Sequence, residues 1–126
     1  MGDDRMILQR IHEDLTVCRL DPAEPVSLNG GFYFLSRTDE ELSLVCPTAD
    51  VPANTLKRED GWRAFRVAGT LDFSLVGILA KLTAILAAEG IGLLAVSTYN
   101  TDYILVKRER VDDALAALSG AGYDID

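Results

Sequence analysis

The fold is decided by residues 62–106, which read WRAFRVAGTLDFSLVGILAKLTAILAAEGIGLLAVSTYNTDYILV. Residues 62–67 alternate between apolar and basic side chains, which is typical of a strand with one buried face. Apolar residues then recur every three or four positions over residues 75–86, a spacing that predicts an amphipathic helix. Gly90 follows at the place where a glycine commonly ends a helix.

The rest of the second half continues this pattern. Residues 93–99 and 102–106 are apolar, β-branched and aromatic, and Asn100-Thr101 between them predicts a two-residue hairpin turn. Apolar spacing over residues 111–118 predicts a second helix, and residues 123–125 can form a last short strand. The order is β-α-β-β-α-β, the split βαβ plan of ferredoxin-like α+β folds.

The first half is less regular but compatible with a degenerate copy of the same plan. Residues 7–20 predict one or two strands, and residues 32–36 and 42–46 predict an apolar hairpin. Only residues 53–59 could form a helix here, and a short one.

We therefore expect two tandem units with antiparallel sheets, at residues 1–60 and 61–126. Units of about 60 residues are near the lower limit of independent stability, so their sheets should be packed or joined together. Residues 93–96 and 103–106 are apolar at successive positions, which indicates that something covers the second face or the edge of the sheet. The cover can come from the first half of the same chain or from another subunit.

Composition narrows the classes of function. The chain carries 12 basic and 20 acidic residues, a net charge of −8. No basic stripe is visible, so nucleic acid and anionic membranes are not expected as partners. No export signal or membrane span is visible either, which predicts a cytoplasmic protein.

The chemistry-bearing residues are few. His12 is the only histidine, and Cys18 and Cys46 lie 28 positions apart without metal-ligand spacing, so we expect no metal, no cofactor and buried, reduced thiols. A catalytic Ser/Asp arrangement would lack a base nearby, because His12 lies in a distant segment. We therefore expect no enzyme activity.

Residues 67–79 (VAGTLDFSLVGIL) and 91–106 closely resemble the ACT domain of the amino-acid-sensing CASTOR proteins and of aspartate kinase regulatory domains, in the form found in small bacterial proteins. Residues 38–47 and 60–63 resemble the same group. The string at residues 97–106, STYNTDYILV, is specific to it.

The resemblance implies a ligand-binding module in which an amino acid lies between ACT units, held by the loop into the first helix and by the facing strand. Carried over by position, the ligand-binding residues are Leu71, Asp72, Phe73, Ser74, Leu75, Val76, Gly77, Ile78, Ser97, Thr98 and Asp102. Free N–H groups at a helix start can hold a carboxylate, and the Asp102 carboxylate can pair with an ammonium group. With the turn at Asn100-Thr101, Tyr99 should pair with Asp102 and Ser97 with Ile104. Ser97, Tyr99 and Asp102 should then share one face of the hairpin.

Three of these residues have simpler explanations that stay open. Asp102 could cap the turn, and Asp72 or Ser74 could cap the helix. Arginine-sensing relatives carry acidic residues where this chain has Ser74 and Leu75, so a neutral or aliphatic amino acid is expected.

The sequence thus predicts a stand-alone, non-catalytic ACT sensor that acts as a homodimer on an unknown regulated enzyme. The alternative is a ligand-free ACT fold that serves only in dimerisation or protein interaction. Whether the units pair within one chain or across a dimer stays open.

Overall fold

The computed structural model describes residues 6–28, 30–68 and 77–126. The strands are β1 (Ile7–Leu20), β2 (Phe34–Arg37), β3 (Leu42–Pro47), β4 (Thr55–Val67), β5 (Leu93–Ser97), β6 (Asp102–Lys107) and β7 (Asp124–Ile125), and the helices are α1 (Ile78–Ala88) and α2 (Val111–Gly120). Short 3-10 turns cover Thr48–Asp50 and Arg108–Arg110. Internal contacts divide the chain into a large unit, Met1–His12 with Arg63–Asp126, and a small unit, Glu13–Trp62.

The large unit contains the predicted helices and hairpin in the predicted order. β5 pairs antiparallel with β6, and β6 lies beside β4. The next position is taken by the first residues of β1, because the Ala68 amide donates to the Ile7 carbonyl at 2.8 Å. β7 then pairs parallel with β1, with Ile7 opposite Asp124. A segment from the N-terminus therefore lies between β4 and β7.

The core of the large unit lies between the helices and one sheet face. Helical spacing directs Leu82 and Leu86 of α1, and Ala114 and Leu118 of α2, into this core. Alternation along the strands adds the buried side chains of Leu8, Phe65, Val67, Ile104 and Val106. Each large apolar side chain buried here stabilises the fold by about 1.5–3 kcal/mol.

Strand β6 is buried on both faces. Leu105 alternates with the core residues Ile104 and Val106, yet its exposed fraction is 0%. Leu94, its partner across the hairpin, is 37% exposed. The prediction of a covered second face is therefore confirmed at Leu105, while the neighbouring β5 side chain is open to solvent.

The small unit contains strands and one 3-10 turn within its described residues, 13–28 and 30–62. β2 pairs with β3 and β3 pairs with β1, both antiparallel, which confirms the predicted hairpin. Cys18, Leu20, Leu42, Leu44 and Cys46 form its core, with Val26, Leu28 and Val51 packed against them.

The prediction of a short helix at residues 53–59 is wrong. β4 begins at Thr55 and runs to Val67, because this stretch lies beside β1 in the sheet. One side-chain contact holds it there: Thr16, which is fully buried, donates to Asp60 Oδ1 at 2.7 Å. Arg58 Nε and Nη2 donate to the same oxygen at 3.1 and 3.0 Å. The unit boundary at residues 60 and 61 and the degenerate-repeat origin of the first half stay predictions.

Candidate ligand-binding site

The sequence-predicted site residues fall into two groups. Leu71, Asp72, Phe73, Ser74, Leu75 and Val76 lie outside the described residues. Gly77 and Ile78 stand at the start of α1, and Ser97, Thr98 and Asp102 lie at one end of the β5–β6 hairpin, all in the large unit.

The hairpin turn differs from its prediction. Ser97 pairs with Asp102, and the Thr98 amide donates to the Thr101 carbonyl at 2.8 Å, so Tyr99 and Asn100 form the tip. A turn centred on Asn100-Thr101 would favour positive φ at both positions, but among the described residues only glycines have positive φ. The predicted pairing of Tyr99 with Asp102 is therefore wrong by two positions.

Ser97 and Asp102 still share one face, because a shift of two positions preserves the alternation of a strand. Ser97 Oγ donates to Asp102 Oδ1 at 2.6 Å. Ser97 is exposed and Asp102 is half-buried. The carboxylate is thus held in place by its own hairpin, and Oδ2 has capacity to accept a bond from a ligand.

A buried threonine that the sequence interpretation treated only as a turn residue fixes the position of this hairpin end. Thr101 is 6% exposed, and its hydroxyl donates to the backbone carbonyl of Val67 at 2.8 Å. Val67 is the last residue of β4, immediately before the segment that leads to α1. Ser97 and Asp102 therefore lie beside the point where the chain enters the predicted ligand loop. A polar residue in an apolar hairpin is the signal that could have identified Thr101.

The start of α1 has a defined backbone geometry. Gly77 occupies the N-cap position with φ 80°, and the helix begins at Ile78. No side chain caps this end among the described residues. The predicted caps Asp72 and Ser74 lie outside those residues, so their roles stay predictions. The first-turn N–H groups of a helix without a cap can bind an anion such as a carboxylate.

One charged group in this unit was missed by the sequence interpretation. Arg66 Nε donates to Gln9 Oε1 at 3.0 Å, and Nη1 donates to the Tyr103 hydroxyl at 3.1 Å. The guanidinium also lies 5.8 Å from the centre of the Tyr103 ring. Its alternation with Phe65 and Val67 places Arg66 on the sheet face away from the helices.

The two thiols of the small unit are not candidates for chemistry. Cys18 and Cys46 are free and buried, as predicted. Burial raises the pKa of Cys18, and burial followed by the neighbouring Cys18 raises the pKa of Cys46 from 9.0 to about 11. Both are therefore protonated at neutral pH, the state in which a thiol is a poor nucleophile.

Within residues 6–28, 30–68 and 77–126, no group of three or more His, Cys, Asp or Glu side chains could hold a metal ion. In the same part of the chain, no helix is both long enough and apolar enough to span a membrane.

Comparison with known proteins identifies the class. The ACT domain family matches residues 57–120, which is half of the chain, and an N-terminal domain family matches residues 13–54. The chain therefore belongs to the ACT domain family. No curated protein matches it.

Solved structures share the fold. An Agrobacterium tumefaciens protein is 29% identical, with a TM-score of 0.86 over 98% of this chain and 94% of its own. A Vibrio cholerae protein of unknown function is 23% identical, with a TM-score of 0.68 over 88% and 85%. The regulatory subunit of Thermus thermophilus aspartate kinase, in its ligand-free form, is 11% identical, with a TM-score of 0.59 over 86% and 93%. ACT domains are regulatory modules, which supports a regulatory, small-molecule-binding role for this chain.

Proposed function

We propose that this protein is a non-catalytic sensor that binds an amino acid in its large unit and passes the binding state to a separate enzyme. The observation that carries the proposal is the position of Asp102 within the ACT domain. Asp102 is held by Ser97 at the hairpin end that Thr101 ties to the end of β4, where the ligand loop begins.

The chemistry of this end suits an α-amino acid. The Asp102 carboxylate is suited to an ammonium group, and the N–H groups at the start of α1 are suited to a carboxylate. Leu75, Val76 and Phe73, which the sequence assigns to the ligand loop, are residue types suited to a neutral or aliphatic side chain. We assign to the same site the remaining residues predicted from the sequence: Leu71, Asp72, Ser74, Gly77, Ile78 and Thr98.

A second copy of the chain completes the site in this proposal. β5 is the last strand in the sheet order, and Leu94 and Ala95 on it are exposed and uncharged. An uncharged strand edge is suited to pairing with another chain. We also propose that the chain belongs to the narrower group of ACT proteins that includes the CASTOR proteins and the aspartate kinase regulatory domains.

A ligand-free dimerisation subunit is the second candidate. The observation that favours it is the Ser97–Asp102 bond itself, because the carboxylate already has a partner within its hairpin. In that case Asp102 stabilises the turn and contacts no ligand.

A thermal-shift screen against the twenty L-amino acids, each at millimolar concentration, distinguishes the two. A ligand at a hundredfold excess over its Kd stabilises the folded state by about 2.7 kcal/mol. We expect at least one neutral or aliphatic amino acid to raise the melting temperature and, in light scattering, to change the mass or the monomer–dimer balance. A screen with no shift contradicts the sensor proposal and supports the second candidate.

A further inference from the structure

The small unit contains a pocket that the proposed function does not use. Its volume is about 320 Å³, at the lower end of the range for small-molecule sites. The pocket lies over three neighbouring strands, β3, β1 and β4, and all of its lining residues belong to the small unit.

The residues that decide its chemistry lie on the sheet face away from the small unit's core. Arg19 pairs with Ser43 across β1 and β3, so these two share a face, and Val17 lies on it by alternation. Thr16 and Asp60 are joined by a hydrogen bond and lie on the opposite face, where Cys18 is buried in the core. Alternation along β4 then puts Lys57 and Glu59 on the same face as Arg19.

The pocket brings two cations together. Arg19 and Lys57 line it from neighbouring strands, and neither side chain makes a hydrogen bond or an ion pair with another described residue. Like charges on neighbouring strands repel each other unless an anion lies between them. Arg58, which also lines the pocket, is already paired with Asp60 at 3.0 Å.

Two carboxylates stand beside these cations. Glu41 lines the pocket and accepts a hydrogen bond from Ser43, and Glu59 lines it from β4. Arg19 and Lys57 carry two positive charges, Glu41 and Glu59 carry two negative charges, and Arg58 is paired with Asp60. A balanced pair of opposite charges favours a dipolar ligand over a simple anion or cation, because either of the latter meets repulsion at one side.

We infer that the small unit binds a small zwitterion, with its carboxylate between Arg19 and Lys57 and its ammonium group against Glu41. The site is separate from the one proposed in the large unit and does not depend on it. Val17 provides an apolar contact for the rest of the molecule.

Titration calorimetry on the full chain tests this inference. The probes are the twenty L-amino acids as zwitterions, with sodium acetate and inorganic phosphate as simple anions. The test variant is Arg19→Gln with Lys57→Gln, and the matched control is Arg37→Gln with Lys81→Gln, which removes the same charges from exposed positions. Circular dichroism melting checks that both remain folded.

We expect an amino acid whose Kd rises roughly tenfold or more in the test variant, while the control and Asp102→Asn leave that binding step unchanged. Three results overturn the inference: no amino acid binds, amino acids bind equally to wild type and test variant, or acetate or phosphate binds at these cations and amino acids do not. Binding lost only in Asp102→Asn overturns this site while supporting the one in the large unit. Binding lost only in the test variant supports this site and counts against the one in the large unit.

Discussion

Thr101 donates its buried hydroxyl to the carbonyl of Val67 at 2.8 Å, joining the turn end of the β5–β6 hairpin to the last residue of β4, 34 residues earlier. Thr101→Val removes the donor at nearly constant volume and leaves a buried carbonyl without that bond. We expect the free energy of unfolding to fall by about 1–3 kcal/mol in urea denaturation.

The control for this change is Thr83→Val in α1, where the hydroxyl donates to the Ala80 carbonyl on an exposed surface. Thr83→Val should lower the free energy of unfolding by no more than about 0.5 kcal/mol. Equal costs for the two variants would mean that the Thr101 bond does not hold the hairpin against β4.

The opposed pair Leu94 and Leu105 tests how the two faces of the hairpin are covered. Leu105→Ala empties a fully buried position and should cost about 2–5 kcal/mol of unfolding free energy. Leu94→Ala acts on a side chain that is 37% exposed and should cost clearly less, since less contact is lost. Denaturation of both variants at several protein concentrations measures this difference. A loss for Leu94→Ala as large as that for Leu105→Ala at every protein concentration would contradict this difference in burial, whereas a Leu94→Ala loss that grows on dilution is the result expected if β5 pairs with a second copy.

Alkaline pH should weaken the small unit through its thiols. The pKa of Cys46 is raised in the folded state from 9.0 to about 11, so the folded protein holds this proton more tightly than the unfolded chain does. The resulting stability is complete below pH 9 and is lost as pH rises towards 11.

Cys46→Ala removes this dependence. At pH 7 we expect the variant to be less stable than wild type by about 1–2 kcal/mol, because a buried atom is lost. The difference in free energy of unfolding between the two proteins should narrow as pH rises from 9 to 11, since only wild type loses stability through the Cys46 thiol. Urea titrations at each pH measure this difference, and a difference that is constant or widens would contradict the raised pKa.

Local pattern was sufficient to predict the helices and the β5–β6 hairpin. The spacing of Leu82 and Leu86 and the glycine at position 90 mark α1, because amphipathic helices carry their burial pattern in the sequence. The face shared by Ser97 and Asp102 was also predictable, although the turn was placed wrongly. Asn100 suggested a two-residue turn, whereas the Thr98–Thr101 backbone pair closes the loop one position earlier.

Long-range pairing could not be predicted in the same way. The stretch from Thr55 to Asp60 has no apolar alternation, and it forms a strand because β1 lies beside it. The pairing of Ile7 with Asp124 joins the two ends of the chain, and no local spacing encodes it. Arg19 and Lys57 are likewise distant in sequence, so their meeting in one pocket required the sheet order.

The central claim is that the hairpin end around Asp102 binds an amino acid, and calorimetric titration of Asp102→Asn tests it most directly. The wild type and the control Asp112→Asn, an exposed carboxylate in the first turn of α2, are titrated with each amino acid that shifts the wild-type melting temperature. We predict that Asp102→Asn weakens the binding of at least one of these amino acids by roughly tenfold or more, because an amide cannot offset the ammonium charge, while Asp112→Asn binds as wild type does. Equal affinities for all three proteins would contradict the account.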